Sequence, residues 1–164
     1  DRWYKYRQGN TGLWNLIKGV LRLGKTTEFA KVAGRERGYI YFQDFIPDNE
    51  YDIRVIVIDG KAFAIKRLTR ENDFRASGSG HILYEKDHFN ENTIQLSFEV
   101  AEKVKSQCLA IDYVFKGEKP IIVELSYGFT KEGYYECEGY WDRDLNWHPG
   151  DFDAQGWMVE VLLK

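Results

Sequence analysis

Residues 109–129 constrain the fold most, because two apolar runs joined by a short polar segment each contain one acidic residue. The runs are LAIDYVF (109–115) and IIVEL (121–125), and they are apolar and β-branched as strands are. Gly117 and Pro120 interrupt the chain between them. Each run has one carboxylate, Asp112 in the first and Glu124 in the second. The pattern predicts a β-hairpin that brings two carboxylates together.

Two carboxylates on neighbouring strands admit two interpretations. A buried charge is costly unless it is paired or bound to a metal, so the first is a site for a hard cation. Mg²⁺ suits such a site because it prefers oxygen ligands and keeps further positions for phosphates. In the second interpretation both acids lie on a solvated face, where most charged side chains are found. The hairpin alone leaves both open.

Composition excludes several classes of protein. The 164 residues suit one domain with a core, or two small lobes. With 23 basic and 26 acidic residues there is no electrostatic case for nucleic acid or an anionic membrane as partner. No apolar run approaches the roughly 20 residues of a membrane helix. Cys108 and Cys137 have neither metal-ligand spacing nor a disulfide framework, so we expect free thiols in a reducing, cytoplasmic compartment.

The rest of the chain predicts an α+β fold, a mainly antiparallel sheet backed by helices. Helices are predicted at 11–23, at 27–33, from Gln95 or Ser97 to Ser106, and at 153–163. A strand is predicted at 38–46, and residues 51–70 form a hairpin that turns at Asp59-Gly60. Residues 71–80 are a polar, glycine-rich loop. In the aromatic tail after Phe129, Trp141 and Trp147 are expected to be packing anchors.

Four motifs in this order resemble the ATP-grasp superfamily, in particular the ribosomal-protein S6 modification enzymes and the glutathione-synthetase-like ligases. The motifs are QDFI (43–46), DIRVIVIDGKAFAIKR (52–67), NDFRASGSG (72–80), and the hairpin strands IDYVF and IIVELS (111–115 and 121–126). The tail sequence GYWDRDLNWHPG is similar to a narrower ATP-grasp group that is associated with surface-polysaccharide biosynthesis. The resemblance implies the C-terminal lobe of an ATP-grasp fold.

The resemblance also implies roles for the residues that would meet ATP. Backbone groups of Asp44, Phe45 and Ile46 would read the adenine edge. Asp52, which opens the DIR motif, matches an acidic residue near the ribose.

Further residues of the resemblance face the phosphates. Arg67 matches an arginine beside the phosphates and the acyl phosphate, and Arg75 with Ser77 matches a loop that approaches the γ-phosphate. Asp112 and Glu124 match the carboxylates that hold Mg²⁺, with Glu124 as the bridge between two ions. Cations and arginines are the groups that phosphoryl transfer needs for its developing charge.

On this resemblance we expect an ATP- and Mg-dependent carboxylate–amine ligase that works through an acyl phosphate. Its partners would be ATP and a carboxylate substrate, with no nucleic acid or membrane partner, and a homo-oligomer is left open. Residues 1–37 would be a helical N-terminal segment and 38–164 the C-terminal ATP-grasp subdomain with its aromatic tail. Because the preceding lobe does not fit into 1–37, we expect either the C-terminal part of a longer enzyme or a stand-alone remnant, and we expect it to be inactive alone.

The alternative is a non-catalytic protein- or glycan-binding module on an ATP-grasp scaffold. The family's usual Asn two residues after the metal-binding Glu is Ser126 here, a shorter oxygen donor, and this departure favours the alternative. Exposed aromatic side chains stack on sugars, although aromatic side chains are also common in cores. The candidates for such stacking are Tyr134, Tyr135, Tyr140, Trp141 and Trp147.

Overall fold

The computed structural model describes residues 2–7, 9, 12–21, 28–32, 34, 42–70, 76, 78 and 80–163. The chain divides into two compact units, Asp1–Asp44 and Phe45–Lys164. The first unit contains helices α1 (Arg2–Arg7), α2 (Leu13–Leu21) and α3 (Glu28–Val32). Helices α2 and α3 lie within the two segments predicted to be helical. No helix in the described ranges is long and apolar enough to cross a membrane.

The second unit is built on an antiparallel sheet, as the sequence predicts. Its strands are β1 (Tyr51–Ile58), β2 (Lys61–Leu68), β3 (Ile82–Leu83), β4 (Cys108–Lys116), β5 (Lys119–Ser126), β6 (Gly139–Asp142) and β7 (Trp147–Pro149). Their order is β5-β4-β1-β2-β6-β7, and β3 also pairs with β2. The α-helices of this unit are α4 (Glu91–Lys103) and α5 (Ala154–Leu162). Both predicted hairpins, β1–β2 and β4–β5, are confirmed.

The two faces of the sheet are covered by different parts of the chain. Because side chains alternate along a strand, Val55 and Val57 of β1 face one side, and Ile56 and Ile58 face the other. The first pair packs in a core with Ile94 of α4, and Trp141 and Trp147 join that core as predicted. The second pair packs with Phe63 and with residues of the C-terminal segment, including α5. We call the second side the tail face.

Two predicted elements differ from the structure. Residues 42–46 are not a strand: they have no ladder partner in the described chain, and all except Ile46 are exposed. Helix α4 begins at Glu91, several residues before the predicted start at Gln95 or Ser97. The reason is an N-cap, because the side chain of Asn90 accepts a hydrogen bond from the backbone N–H of Asn92.

A side-chain clamp fixes the segment before β1 against the sheet. The Asn49 side chain accepts a hydrogen bond from the Phe115 backbone N–H (2.7 Å) and donates one to the Phe115 carbonyl (3.0 Å). The same amide donates to the Pro47 carbonyl (3.1 Å). Asn49 therefore holds the end of the 45–50 segment beside β4.

The β6–β7 hairpin is organised by one carboxylate. Asp142 accepts hydrogen bonds from the backbone N–H groups of Asp144 (3.0 Å) and Asn146 (2.9 Å). Its Oδ2 lies 2.8 Å from Nε2 of His148, whose ring stacks on Tyr140. His148 and these amides lower the pKa of Asp142 to about 2.

We predict that Gly60→Ala lowers the free energy of unfolding by about 1–2 kcal/mol, measured by urea denaturation. Gly60 has φ +82°, and an added Cβ would lie 2.6 Å from Nε of Arg143. Gly117→Ala is the matched control, since Gly117 also has positive φ (+63°) but has nothing within 4 Å of the added atom. A loss at Gly60 no larger than the loss at Gly117 would contradict the role of the Arg143 contact.

The depressed pKa of Asp142 predicts that the stability of the chain falls at acidic pH. An acid whose pKa is lowered by folding stabilises the fold above its unfolded pKa, and this stabilisation is lost as pH falls. For Asp142 this stabilisation is lost as the pH falls from about 3.8 through about 2. The change to test is Asp142→Asn, which should make the midpoint temperature of thermal unfolding less dependent on pH across this range. Asp144→Asn, in the same loop, should leave this pH dependence unchanged.

Candidate functional site

Charged side chains replace apolar ones at one end of the tail face. Along β1, Asp52 and Arg54 point to the same side as Ile56 because they are four and two residues away from it, respectively. Across the ladders, Asp52 lies opposite Arg67 of β2, and Arg54 lies opposite Asp112 of β4. Three neighbouring strands therefore place two acids and two arginines on one surface.

These four side chains form a continuous chain of ion pairs. Arg54 binds Asp112 through two contacts, Nε to Oδ1 at 2.5 Å and Nη2 to Oδ2 at 2.6 Å. Arg67 binds Asp52 in the same bidentate way, at 2.6 and 2.7 Å. A further contact from Arg67 Nη2 to Asp112 Oδ2, at 3.1 Å, joins the two pairs. We call Asp52, Arg54, Arg67 and Asp112 the ion cluster.

Burial strengthens the electrostatics of the ion cluster. The side chains of Arg67 and Asp112 are each 8% exposed, and that of Arg54 is 21% exposed. Burial raises the pKa of Asp52, although Arg67 opposes this change. Burial alone would lower the pKa of Arg67, but Asp52 and Asp112 raise it. Asp112 also raises the pKa of Arg54, so both arginines stay charged.

Glu124 lies next to the ion cluster because of a β-bulge. Asp112 of β4 is directly opposite Glu124 of β5, whereas the next residue, Tyr113, is opposite Ile122. Val123 is therefore the extra residue of the bulge. The bulge puts Glu124 on the same face as Asp112, so the predicted meeting of the two carboxylates occurs. Glu124 is exposed, and Ser126 donates a hydrogen bond to its Oε1 at 2.9 Å.

The oxygen donors at this site differ in how well they suit a Mg²⁺ ion. Glu124 and Ser126 offer exposed oxygen atoms, which is the ligand chemistry that Mg²⁺ prefers. Asp112 accepts three N–H bonds from Arg54 and Arg67, so its charge is already balanced. In the described residues no group of three His, Cys, Asp or Glu side chains is arranged to hold a metal. Glu124 and Ser126 would be the available donors to a cation, and Asp112 would have to release an arginine contact to join them.

Tyr134 covers the ion cluster from the C-terminal segment. It is buried at the end of the 3₁₀ helix Lys131–Tyr134. Burial raises the pKa of Tyr134, and Arg54 opposes this change through charge and a side-chain hydrogen bond. The ion cluster is thus enclosed by the sheet below and by an aromatic side chain above.

The aromatic residues proposed to stack on sugars lie mostly in the cores. Trp141 is 1% exposed and Tyr134 is buried. Tyr140 and Trp147 are partly buried and pack against the two cores. Only Tyr135 among the five is largely exposed, at 63%. This placement disfavours a broad aromatic platform.

The structure places the other predicted residues as follows. Asp44 ends the first compact unit, and Phe45 and Ile46 begin the second. Arg75 and Ser77 lie outside the described residues. Sequence reasoning missed Arg54. The signal was available, because a charge two residues after Asp52 in an apolar strand must share its face.

A comparison with family models identifies the chain. A model of the RimK-like ATP-grasp domain matches residues 19–135, which is more than half of the chain. The chain therefore belongs to the RimK-like ATP-grasp family, and the resemblance seen in its motifs is confirmed. Comparison with curated proteins gave no match. Family membership indicates an ATP-dependent, ligase-type function with ATP and a carboxylate as substrates.

We predict that Arg54→Met destabilises the chain by about 3 kcal/mol, because it leaves a buried carboxylate with half of its partners. The value is at the low end for broken buried pairs, since the Arg54 side chain is 21% exposed. Urea denaturation measures the change. Lys116→Met, an exposed lysine at the end of β4, is the control and should stay within about 0.5 kcal/mol. Equal effects of the two substitutions would contradict the importance of the Arg54–Asp112 pair.

Proposed function

We propose that the protein is a Mg²⁺- and ATP-dependent ligase that joins a carboxylate to an amine through an acyl phosphate. One observation carries the proposal: a fixed pair of arginines and an exposed glutamate lie together on one sheet face of an ATP-grasp chain. Fixed positive charge for a transferred phosphoryl group and a ligand for its cation are the two requirements of this chemistry.

Charge balance supports Glu124 as the principal ligand of the cation. In the ion cluster two arginines neutralise two aspartates, so Glu124 leaves one negative charge in excess. We infer that Glu124 and Ser126 hold the Mg²⁺, with Asp112 as an additional donor once a phosphate engages Arg54. When bound, the ion neutralises the phosphate oxygens of ATP.

The arginines are suited to the transferred phosphoryl group. A guanidinium has five N–H donors, of which Arg54 directs two to Asp112. Asp112 and Asp52 fix the orientation of Arg54 and Arg67, so little entropy is lost when an anion binds. We propose that Arg54 and Arg67 stabilise the phosphoryl charge, with Arg75 and Ser77 as further contacts to the γ-phosphate.

The proposed reaction has two steps. An oxygen of the substrate carboxylate attacks the γ-phosphorus, and the bond to the β–γ bridging oxygen breaks with its electron pair left on ADP. The amine nitrogen then attacks the acyl carbon, and the carbon–oxygen bond breaks to release inorganic phosphate. The amine gives up a proton to the departing phosphate or to water. The products are an amide, ADP and phosphate.

Other parts of the proposal concern the nucleotide and the lobes. We propose that the backbone of residues 44–46 meets adenine and that Asp52 acts near the ribose by orienting Arg67. The Asn49 clamp supports this proposal, because Asn49 lies three residues after Ile46 and is fixed against Phe115 of β4. We further propose residues 38–164 as the C-terminal ATP-grasp lobe. The sheet and its two covering helices all lie in the second compact unit.

The test is Glu124→Gln in the longest natural form of the protein. We expect Mg²⁺-dependent ATP turnover to fall at least about a hundredfold, because a metal contributes several kcal/mol of charge stabilisation. Glu118→Gln is the matched control: it is the same change at an exposed position in the turn of the same hairpin. Full turnover by the Glu124 variant would refute the proposed role.

Ser126→Asn distinguishes a working ligase site from a binding module. A longer oxygen donor beside Glu124 should raise metal affinity and turnover together if the site is catalytic. Titration with Mn²⁺ in the presence of ATP measures the first, and phosphate release measures the second. No change in either quantity would favour the module.

A further inference from the structure

A second candidate site lies on the tail face, beside the ion cluster. It is a cavity of about 250 Å³ between the 3₁₀ helix Lys131–Tyr134 and the start of α5. Pockets for drug-sized ligands usually measure about 300–1,000 Å³, so this one suits a small molecule. No residue of the ion cluster lines the cavity. Tyr134 connects the two, because it lines the cavity and forms a side-chain hydrogen bond with Arg54.

The apolar wall of the cavity is held by the core. Phe129, Tyr134 and Phe152 line the cavity, and each packs against Phe63 of β2, with ring centroids at 5.7, 5.5 and 4.9 Å. The thiol of Cys137 also lines the cavity, and burial raises its pKa to about 12, so it is neutral. The cavity therefore offers a preformed, uncharged surface to the body of a ligand.

The polar groups of the cavity carry opposite charges. Lys131 and Asp151 line it, both are exposed, and the amide of Gln155 is a third polar group. The Nζ of Lys131 lies 5.4 Å from the ring centroid of Tyr135, which also lines the cavity. A ligand that satisfies both charges needs a carboxylate and an ammonium group of its own.

Most of the cavity is made by sequence outside the family match. The match ends at residue 135, whereas Cys137, Asp151, Phe152 and Gln155 come from the segment that follows. That segment is attached firmly, since it adds two strands to the sheet and packs α5 on the tail face. The choice of ligand therefore depends in part on the segment that follows residue 135.

We propose that this cavity binds a small zwitterion with an apolar body, such as an amino acid with an aromatic or aliphatic side chain. Lys131 pairs with its carboxylate, Asp151 pairs with its ammonium group, and its side chain packs on Phe129 and Phe152. Its role as the amine substrate rests on the proposed ligase function, because Tyr134 places the cavity next to Arg54. Binding itself does not depend on that function.

Calorimetric titration into the full-length protein tests the proposal with three probes. L-phenylalanine has both charges, L-phenylalanine amide lacks the carboxylate, and N-acetyl-L-phenylalanine lacks the ammonium group. We expect saturable binding of L-phenylalanine and at least tenfold weaker binding of each single-charge probe.

Two variants identify the groups responsible. Lys131→Met should remove the preference for L-phenylalanine over its amide, and Asp151→Asn should remove the preference over the N-acetyl compound. Lys116→Met, an exposed lysine on the β4–β5 hairpin, should change neither preference. This assignment by charge does not require that binding be lost altogether.

Several results would overturn the proposal. They are the absence of saturable L-phenylalanine binding, binding unchanged in both variants, or tighter binding of L-glutamate than of L-phenylalanine. Zwitterion binding without Mg²⁺-dependent ATP turnover would support the cavity and reject the ligase. Turnover with other amines, but no L-phenylalanine binding, would support the ligase and reject the cavity.

Discussion

The ion pairs among Asp52, Arg67, Asp112 and Arg54 hold the charged end of the tail face together. They connect three neighbouring strands through bidentate contacts, and one shared carboxylate joins the two pairs. Removing a charge from water is costly, and it is tolerated here because each acid is met by a guanidinium of matching geometry. Since the neighbouring strands align these groups, the candidate site is organised by the fold itself.

The apolar organisation of the tail face depends on the same alternation along the strands. Ile56 and Ile58 continue the line of Asp52 and Arg54 along β1, so a single strand face changes from a charged site to a hydrophobic core. The C-terminal segment covers both parts, with Phe63 at the centre of its aromatic packing and Tyr134 over Arg54. The apolar core and the ion cluster therefore share one surface and are separated by about two residues of strand.

Local patterns in the sequence predicted much of this arrangement, and non-local contacts explain what they missed. The β1–β2 and β4–β5 hairpins follow from turn residues and apolar runs, so Asp112 and Glu124 could be placed on neighbouring strands in advance. That they also share a face depends on the bulge at Val123. The partnership of Arg54 with Asp112 joins residues 58 positions apart, and no local signal selects that partner. Its consequence, that Asp112 is shared between two arginines, needed the ladder between β1 and β4.

The bulge at Val123 determines on which side of the sheet Glu124 lies. In an uninterrupted ladder from Tyr113 and Ile122, Val123 would lie opposite Asp112, and Glu124 would face the core beneath α4. Which side the acid occupies is thus decided by its pairing across the ladder and not by its chemical nature. Loss of the bulge with every residue kept would turn Glu124 to the α4 side, whereas loss of Val123 itself would leave Glu124 opposite Asp112. In comparing related chains, the bulge and the residues between the turn and the glutamate must be read together with residue identity.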